Sequence, residues 1–381
     1  MKQEELNKII ENHQHYLKKD CEGWEHMGAD FSHIDLSGMD FSGVDLSGAY
    51  FYKANLERAN FERTNLSGAL LDKAYLREAD LSCANLYKAN LERTNLRGAS
   101  LRGANLTEAN LYKANLIEVD FTDAKLYEVN FKEANLSGVD FDGAELNYSC
   151  MEGADLSDAN LNNANLYETD FWGADLRNTY LNNANFKGAS LEDAILKNAK
   201  LENANLEGTN LNGAKLYKAN LRQANLKGAD LSYANLSEAN LMYANLHKAN
   251  LLRTELIFTN LVGADLSNAN LEEADLSVAN LESANLEGVN LERAKLSEAN
   301  LSETNLKNAK LEGATLRNVD LMWSNLTNAN LKNTNLESAV LSGADLKYAN
   351  LEGANLKDIN LEGATLKGTG IRRNKTNVER D

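Results

Sequence analysis

The sequence predicts an all-β solenoid, a chain wound into flat-sided coils with a corner every five residues. Three observations carry that expectation. An apolar residue returns at every fifth position from Phe31 to Ile371, 69 times, and the frame never slips. A small or β-branched residue stands two places before nearly every one of them. Most glycines fall at a single place in the frame, two residues after the apolar position. A period of five matches neither the α-helix, at about 3.6 residues, nor the strand, at about two. A fixed self-similar period is the mark of stacked repeats.

Let the apolar position be i. Leu fills 58 of the 69 sites; the others are nine Phe, Met151 and Ile371. Position i−2 runs from Ala29 to Thr369 and is Ala 48 times, otherwise Thr, Val, Ser, Ile or Met. No charged or amide side chain enters either column. Position i−1 is mostly Asn or Asp, and i+1 and i+2 are mostly polar or Gly. Two inward residues separated by one outward residue make a short extended side. The next two outward residues turn the corner. Of the 24 glycines, 21 occupy i+2, including Gly38, Gly98, Gly188 and Gly313. Glycine tolerates the positive φ of tight turns. Lys, Glu and Asn also occupy i+2, so the expectation is that not every corner demands positive φ. Phe31 and Phe51, Phe41 and Phe61, and Phe121 and Phe141 are each 20 residues apart, as rings stacked one coil apart would be. A spacing of 10 occurs too, so the residues alone leave coils of 10 or 20 open. A ten-residue coil has little room for four inward side chains, which favours four sides of five residues.

The unit Ala-(Asn/Asp)-Leu-x-x, as in "ANLYK", "ADLSD" and "ANLEG", resembles the pentapeptide-repeat family over about nine-tenths of the chain. The resemblance implies a right-handed quadrilateral β-helix with four pentapeptides per coil, hence about 17 coils from the 69 units.

Taken in order, residues 1–28 read as an N-terminal helical cap. Within it a helix is expected over 4–19, with Leu6, Ile9, Ile10, His13 and Leu17 on one face. Its task would be to cover the apolar interior and the unpaired edge of the first coil. Residues 29–373 read as one solenoid, and 374–381 as a short polar tail. That end has no comparable cover, which makes the C-terminal coil a place for end-to-end pairing of two copies. The absence of Pro suits a stack in which most backbone N–H groups are used by a neighbouring coil.

The remaining composition bounds function. No apolar run reaches the roughly 18 residues of a membrane helix. The first residues, "MKQEELNKIIENHQHYLKK", have scattered apolar positions unlike a signal peptide, so a cytoplasmic location is expected. Cys21, Cys83 and Cys150 are odd in number and far apart, against a disulfide framework. His13 and His15 diverge on the expected helix, so no metal site is expected. The cysteines lack histidine partners in the frame, no glycine-rich phosphate loop occurs, and acidic pairs such as Glu272–Glu273 sit on convex turns. No catalytic residue, no cofactor and no enzymatic activity are expected.

Charge and surface apolarity supply the candidate contact residues. The formal net charge is −17, which disfavours direct binding to phosphate backbones. On a 20-residue coil, the face beginning at residue 39 is the most acidic, with 12 acidic and 4 basic residues. Asp40, Asp80, Asp120, Asp123, Asp140 and Asp142 concentrate on its N-terminal half. The plain alternative is a solvated surface that keeps the protein dispersed. A second candidate is "LMYANLHKANLLRTELIFTNLVG", residues 241–263. There Met242, Tyr243, Leu252, Ile257, Phe258 and Val262 take corner positions that elsewhere are mostly polar, as a contact surface would.

The expected function is a non-enzymatic scaffold, a rigid rod offering flat faces to an unknown protein partner. The family resemblance also implies an alternative: some members, including the quinolone-resistance type, are acidic rods that imitate B-form DNA and occupy the DNA site of gyrase. Two departures count against it. This frame has no interrupting loop, and the C-terminal helical module through which those proteins pair is missing.

Overall fold

The computed structural model describes residues 2–373 and 378–380. Helix α1 spans Gln3–Lys18, a one-turn 3-10 helix spans Trp24–His26, and two short strands, β1 (Ile371–Arg373) and β2 (Val378–Arg380), lie at the other end. Everything between is one five-residue motif, repeated. The chain divides into two compact units, Met1–Ser190 and Leu191–Asp381.

Within each unit the bridges answer how many sides a coil has. Every parallel bridge joins residues 20 apart, from Asp30 with Tyr50 to Asp170 with Ser190 in the first unit, and from Ile195 with Lys215 to Asp345 with Thr365 in the second. Four sides of five residues therefore make one coil. The phenylalanines agree: Phe31 stacks on Phe51 at 4.9 Å and Phe41 on Phe61 at 4.7 Å. The ten-residue spacing is a different contact, edge to face across the interior, as for Phe31 and Phe41 at 5.9 Å.

One pentapeptide, residues 84–88, shows why the frame cannot slip. Ala84 N–H closes the preceding turn on Leu81 O (3.0 Å). Asn85 N–H reaches back one coil to Thr64 O (2.9 Å). Leu86 and Lys88 N–H reach forward to Asn105 O (2.7 Å) and Thr107 O (3.0 Å). The fifth donor, Tyr87 N–H, is taken by the Asn85 side chain, Oδ1 at 3.3 Å. All five donors are used, and a buried backbone donor left alone is costly. Position i−1 is thus Asn or Asp because a short side-chain acceptor must fold back onto the amide two residues on. Most of the amides then serve twice. Asn65 Nδ2 donates to Asp45 Oδ1 (2.9 Å), Asn85 Nδ2 to Asn65 Oδ1 (3.0 Å) and Asn105 Nδ2 to Asn85 Oδ1 (3.1 Å), a ladder between coils.

The interior is apolar, and its hydroxyls are satisfied. The Leu and Phe of i and the Ala of i−2 are almost completely buried through most of both units. Where Thr replaces Ala, its hydroxyl donates either to a carbonyl of the preceding coil, as Thr64 Oγ1 does to Phe41 O (2.7 Å) and Thr254 Oγ1 to Leu231 O (2.8 Å), or to the carbonyl three residues back in its own turn, as Thr179 Oγ1 does to Leu176 O (2.7 Å).

The corners correct one expectation. Every i+2 residue from His33 to Gly368 has positive φ; among the non-glycines the range is 51° to 62°. Lys, Glu and Asn at i+2 therefore mark corners that bear the strain, not corners without it. The cause lies in the ladder. With i+2 N–H pointing at the next coil and i+3 N–H closing on the carbonyl of i, the turn is of the kind whose third residue has φ above zero.

At the N-terminal end α1 starts and stops one residue earlier than expected. Glu5 Oε2 accepts Lys2 N–H (3.1 Å), Glu4 and Glu5 occupy the first turn, and Lys19 ends the helix in the left-handed region at φ 55°. Leu6 and His13 are fully buried, while Ile9, Ile10 and Leu17 are half-buried. Gln14 Nε2 donates to Asp45 O (2.9 Å) and His13 Nδ1 accepts Ala29 N–H (3.1 Å), so the helix lies on the first coil. Phe31, Leu36, Phe41 and Leu46 are fully buried there. Toward the other end Leu356, Ile359 and Leu366, which occupy the same inward columns, are only half-buried. The polar tail expected over 374–381 lies outside the described residues at 374–377 and 381; in between, Val378–Arg380 pairs antiparallel with Ile371–Arg373.

Candidate interaction surfaces

In the first unit the bridge pattern assembles the acidic residues. Asp40, Asn60, Asp80, Ser100, Asp120 and Asp140 are consecutive partners in one column. Asp123 and Asp142 stand at the corner that follows it. Each column carboxylate first serves its own turn. Asp40, Asp80, Asp120 and Asp140 accept the N–H groups of Ser42 (3.0 Å), Ser82 (2.9 Å), Thr122 (2.8 Å) and Asp142 (3.1 Å). The Ser42 bonds hold the Asp40 carboxyl below its ordinary range, so it stays ionised. Asp140 also accepts Asn160 Nδ2 (2.9 Å), and Asp142 accepts Asn163 Nδ2 (2.9 Å). Asp123 is paired with Arg102 at 3.5 Å.

In the second unit the apolar corner residues separate into groups. Ile257 and Phe258 form one corner, Thr259–Leu261 the side, and Val262 with Gly263 the next corner. Met242 and Tyr243 occupy that second corner one coil earlier. Five of the six thus border the single face of Asn240, Asn260 and Asn280, which are successive bridge partners. Leu252 does not; it stands one corner earlier, beyond the side of Glu255. The reading of one six-residue cluster is corrected accordingly. Phe258 is 61% exposed and Tyr243 54%. Val278, 39% exposed, was missed; it lies one coil beyond Phe258 at the same corner, and the offset of 20 was the signal that could have found it.

The next corner holds a feature of a different kind. Tyr243 leans over Gly263, where an added Cβ would come within 2.5 Å of its ring. Trp323 and Tyr348 likewise lean over Gly343 and Gly368. Glycine one coil after a large i+2 side chain makes room for it.

Burial raises the Cys150 thiol above its ordinary range, which disfavours the thiolate a nucleophile needs. Burial lowers the His13 imidazole, while the Ser47 backbone and the Asp45 carboxylate pull the other way. A cleft of about 220 Å³ between cap and first coil is lined by Tyr16, Glu25, His26, Gly28, Asp30 and Tyr50. That is below the roughly 300 Å³ at which small-molecule pockets begin. No helix among the described residues is long and apolar enough to cross a membrane.

A four-sided parallel β-coil with an apolar filling and polar corners defines a solenoid repeat protein. The chain belongs to the pentapeptide repeat family: the model "Pentapeptide repeats (8 copies)" matches residues 27–322 and 324–363. It is accordingly a right-handed β-helix. Among solved structures it is similar to HetL, a pentapeptide repeat protein involved in heterocyst differentiation regulation from the cyanobacterium Nostoc sp. Strain PCC 7120. The identity is 33% over 63% of this chain and 90% of HetL, with a TM-score of 0.24. Rfr23 from the cyanobacterium Cyanothece 51142 is 44% identical over 24% of this chain and 58% of its own, with a TM-score of 0.20. QnrB1, a plasmid-mediated fluoroquinolone resistance protein, is 22% identical over 52% of this chain and 85% of its own, with a TM-score of 0.25. No curated protein matches the chain.

Proposed function

We propose that this protein is a non-enzymatic interaction scaffold, a cap of residues 1–28 on a solenoid of residues 29–373, acting in the cytoplasm on a protein partner. The observation that supports it is the division of labour along the repeat. The inward columns hold only apolar and small side chains, and functional groups stand on flat outer faces. The three cysteines are unpaired, as in a reducing compartment. The binding residues we assign are the acidic column with its corner, Asp40, Asp80, Asp120, Asp123, Asp140 and Asp142, and the apolar edges Met242, Tyr243, Ile257, Phe258 and Val262.

The acidic column also favours a second reading, imitation of DNA toward gyrase or another topoisomerase. Magnitude argues against it. Asp40 to Asp140 is five bridge steps, about 24 Å at roughly 4.8 Å per step. Duplex DNA of that length carries about 14 charges. The column and its following corner carry seven carboxylates, counting Glu62, and two cations, Arg63 and Arg102.

The test uses immobilised wild type, a triple variant Asp80→Asn/Asp120→Asn/Asp140→Asn, and a double variant Tyr243→Ser/Phe258→Ser. Asn is the commonest i−1 residue, so the triple variant should fold. A partner held by wild type and lost from one variant is expected. Equal retention by both would sink the residue assignment. Gyrase supercoiling, assayed at two salt concentrations, separates the readings: salt-sensitive inhibition by wild type that the triple variant lacks would establish the DNA-like role.

A further inference from the structure

We propose that the N-terminal cap carries a metal site for a thiophilic divalent cation of the zinc class, with His15, Asp20 and Cys21 as ligands. The sequence spacing argued against any such site, because His13 and His15 point apart on the helix. The structure brings a different set together. His13 turns inward to Ala29, whereas His15 faces the chain that leaves the helix. Lys19 ends α1 at φ 55° and the chain doubles back, with a second left-handed residue at Gly23, φ 78°. This reversal sets His15 Nδ1 2.8 Å from Asp20 Oδ1. The donor atoms of His15, Asp20 and Cys21 all lie within 4.8 Å of one another. The thioether of Met27 completes the group, its Sδ 3.6 Å from Cys21 Sγ.

The distances and charges suit a tetrahedral ion. Two sulfurs bound at about 2.3 Å on a tetrahedron stand about 3.8 Å apart. Cys21 and Met27 are already at 3.6 Å. Nitrogen and oxygen ligands at about 2.0–2.1 Å would stand about 3.4 Å apart. His15 and Asp20 are closer at 2.8 Å because they share a hydrogen bond. An entering cation takes the place of that proton and opens the pair by roughly half an ångström. A thiolate and a carboxylate neutralise a dication, and imidazole adds a neutral donor. Thiolate and imidazole prefer zinc or cobalt to magnesium or calcium. His15 and Cys21 are half-buried and Asp20 is exposed, so the ion has an open approach and water or Met27 can take the fourth position. The site would tie the end of α1 to the turn that enters the first coil.

Cobalt(II) is the probe, with zinc(II) as competitor, added to the full-length reduced protein. The expected result is one thiolate-to-cobalt charge-transfer band per chain, with the strong visible bands of tetrahedral cobalt, both displaced by zinc. Cys21→Ser should abolish the charge-transfer band. His15→Gln and Asp20→Asn should each weaken binding by more than about a hundredfold, since changes outside the ligand shell alone cost about 10–100-fold. Cys83→Ser and Cys150→Ser should leave the spectrum intact. Far-ultraviolet circular dichroism checks that each variant keeps its helix. A wild type without the band, a band that survives Cys21→Ser, or wild-type affinity in folded His15→Gln and Asp20→Asn would each overturn the site.

Discussion

The corner residue shows how much local strain this chain accepts. Each non-glycine at i+2 sits in the left-handed region, at a cost of about 1 kcal/mol. Most pentapeptides also bury a Leu or Phe, which contributes about 1.5–3 kcal/mol. Burial wins, so Lys, Glu or even Tyr can stand where glycine would be easier. The pair Tyr243 and Gly263 tests a finer point. Gly228→Ala, at φ 65° with open space around its Cβ, should cost about 1 kcal/mol. Gly263→Ala, at φ 64°, must in addition push the Tyr243 ring aside and should cost about 1 kcal/mol more. Adding Tyr243→Ala should remove the excess. Denaturant unfolding of wild type and the three variants measures this; equal costs for Gly228→Ala and Gly263→Ala would mean that the ring is not seated over the glycine.

At the scale of the coil, the stabilising element is the column of amides between adjacent turns. Asn85 accepts Tyr87 N–H, donates to Asn65 and accepts from Asn105. Asn85→Ala removes all three bonds and should cost about 2 kcal/mol, given a net worth of about 0.5–1.5 kcal/mol for each. Asn85→Asp keeps both acceptor roles and loses one donor, so about a third of that cost is expected. The same logic explains why Asp opens such columns: Asp35 and Asp45 have only to accept, from Asn55 and Asn65. Thermal unfolding that ranks wild type, Asn85→Asp and Asn85→Ala in any other order would show that the ladder is incidental.

At the scale of the whole molecule, what matters is that each coil is held by its neighbours 20 residues away, so the ends are where the stack is vulnerable. The first coil is covered by α1, and His13 is the buried polar group at that junction, with Nε2 unpartnered. Burial lowers its folded pKa, so the neutral ring is the one the docked cap accommodates. The unfolded state then binds the proton more readily, and cap stability rises with pH. It is complete above the unfolded value of about 6.5 and is lost as pH falls from there toward the folded value. Hydrogen-exchange protection of α1 should therefore be lower at about pH 5 than at about pH 7.5. In His13→Asn the difference should vanish. Protection that does not change with pH in the wild type would remove His13 as the cause.

The five-residue frame, the inward columns and the helix were legible in the sequence because burial is a property of single residues, and a column of Leu every fifth place reports it directly. Phenylalanine spacings left coils of 10 or 20 residues open, the room needed for four inward side chains favoured 20, and the resemblance supplied the hand. The tertiary structure decided what depends on pairs. Whether Lys53 or Glu78 at a corner has positive φ follows from where its N–H must point on the next coil, which side-chain identity does not reveal. Asn at i−1 looked merely polar until its two directions, along its own turn and toward the neighbouring coil, could be seen. Leu252 left the apolar face, and Val278 joined it, because corners are shared at intervals of 20 and not by proximity in the chain. The meeting of His15, Asp20, Cys21 and Met27 required the reversal after Lys19, a backbone event that none of the four residues announces.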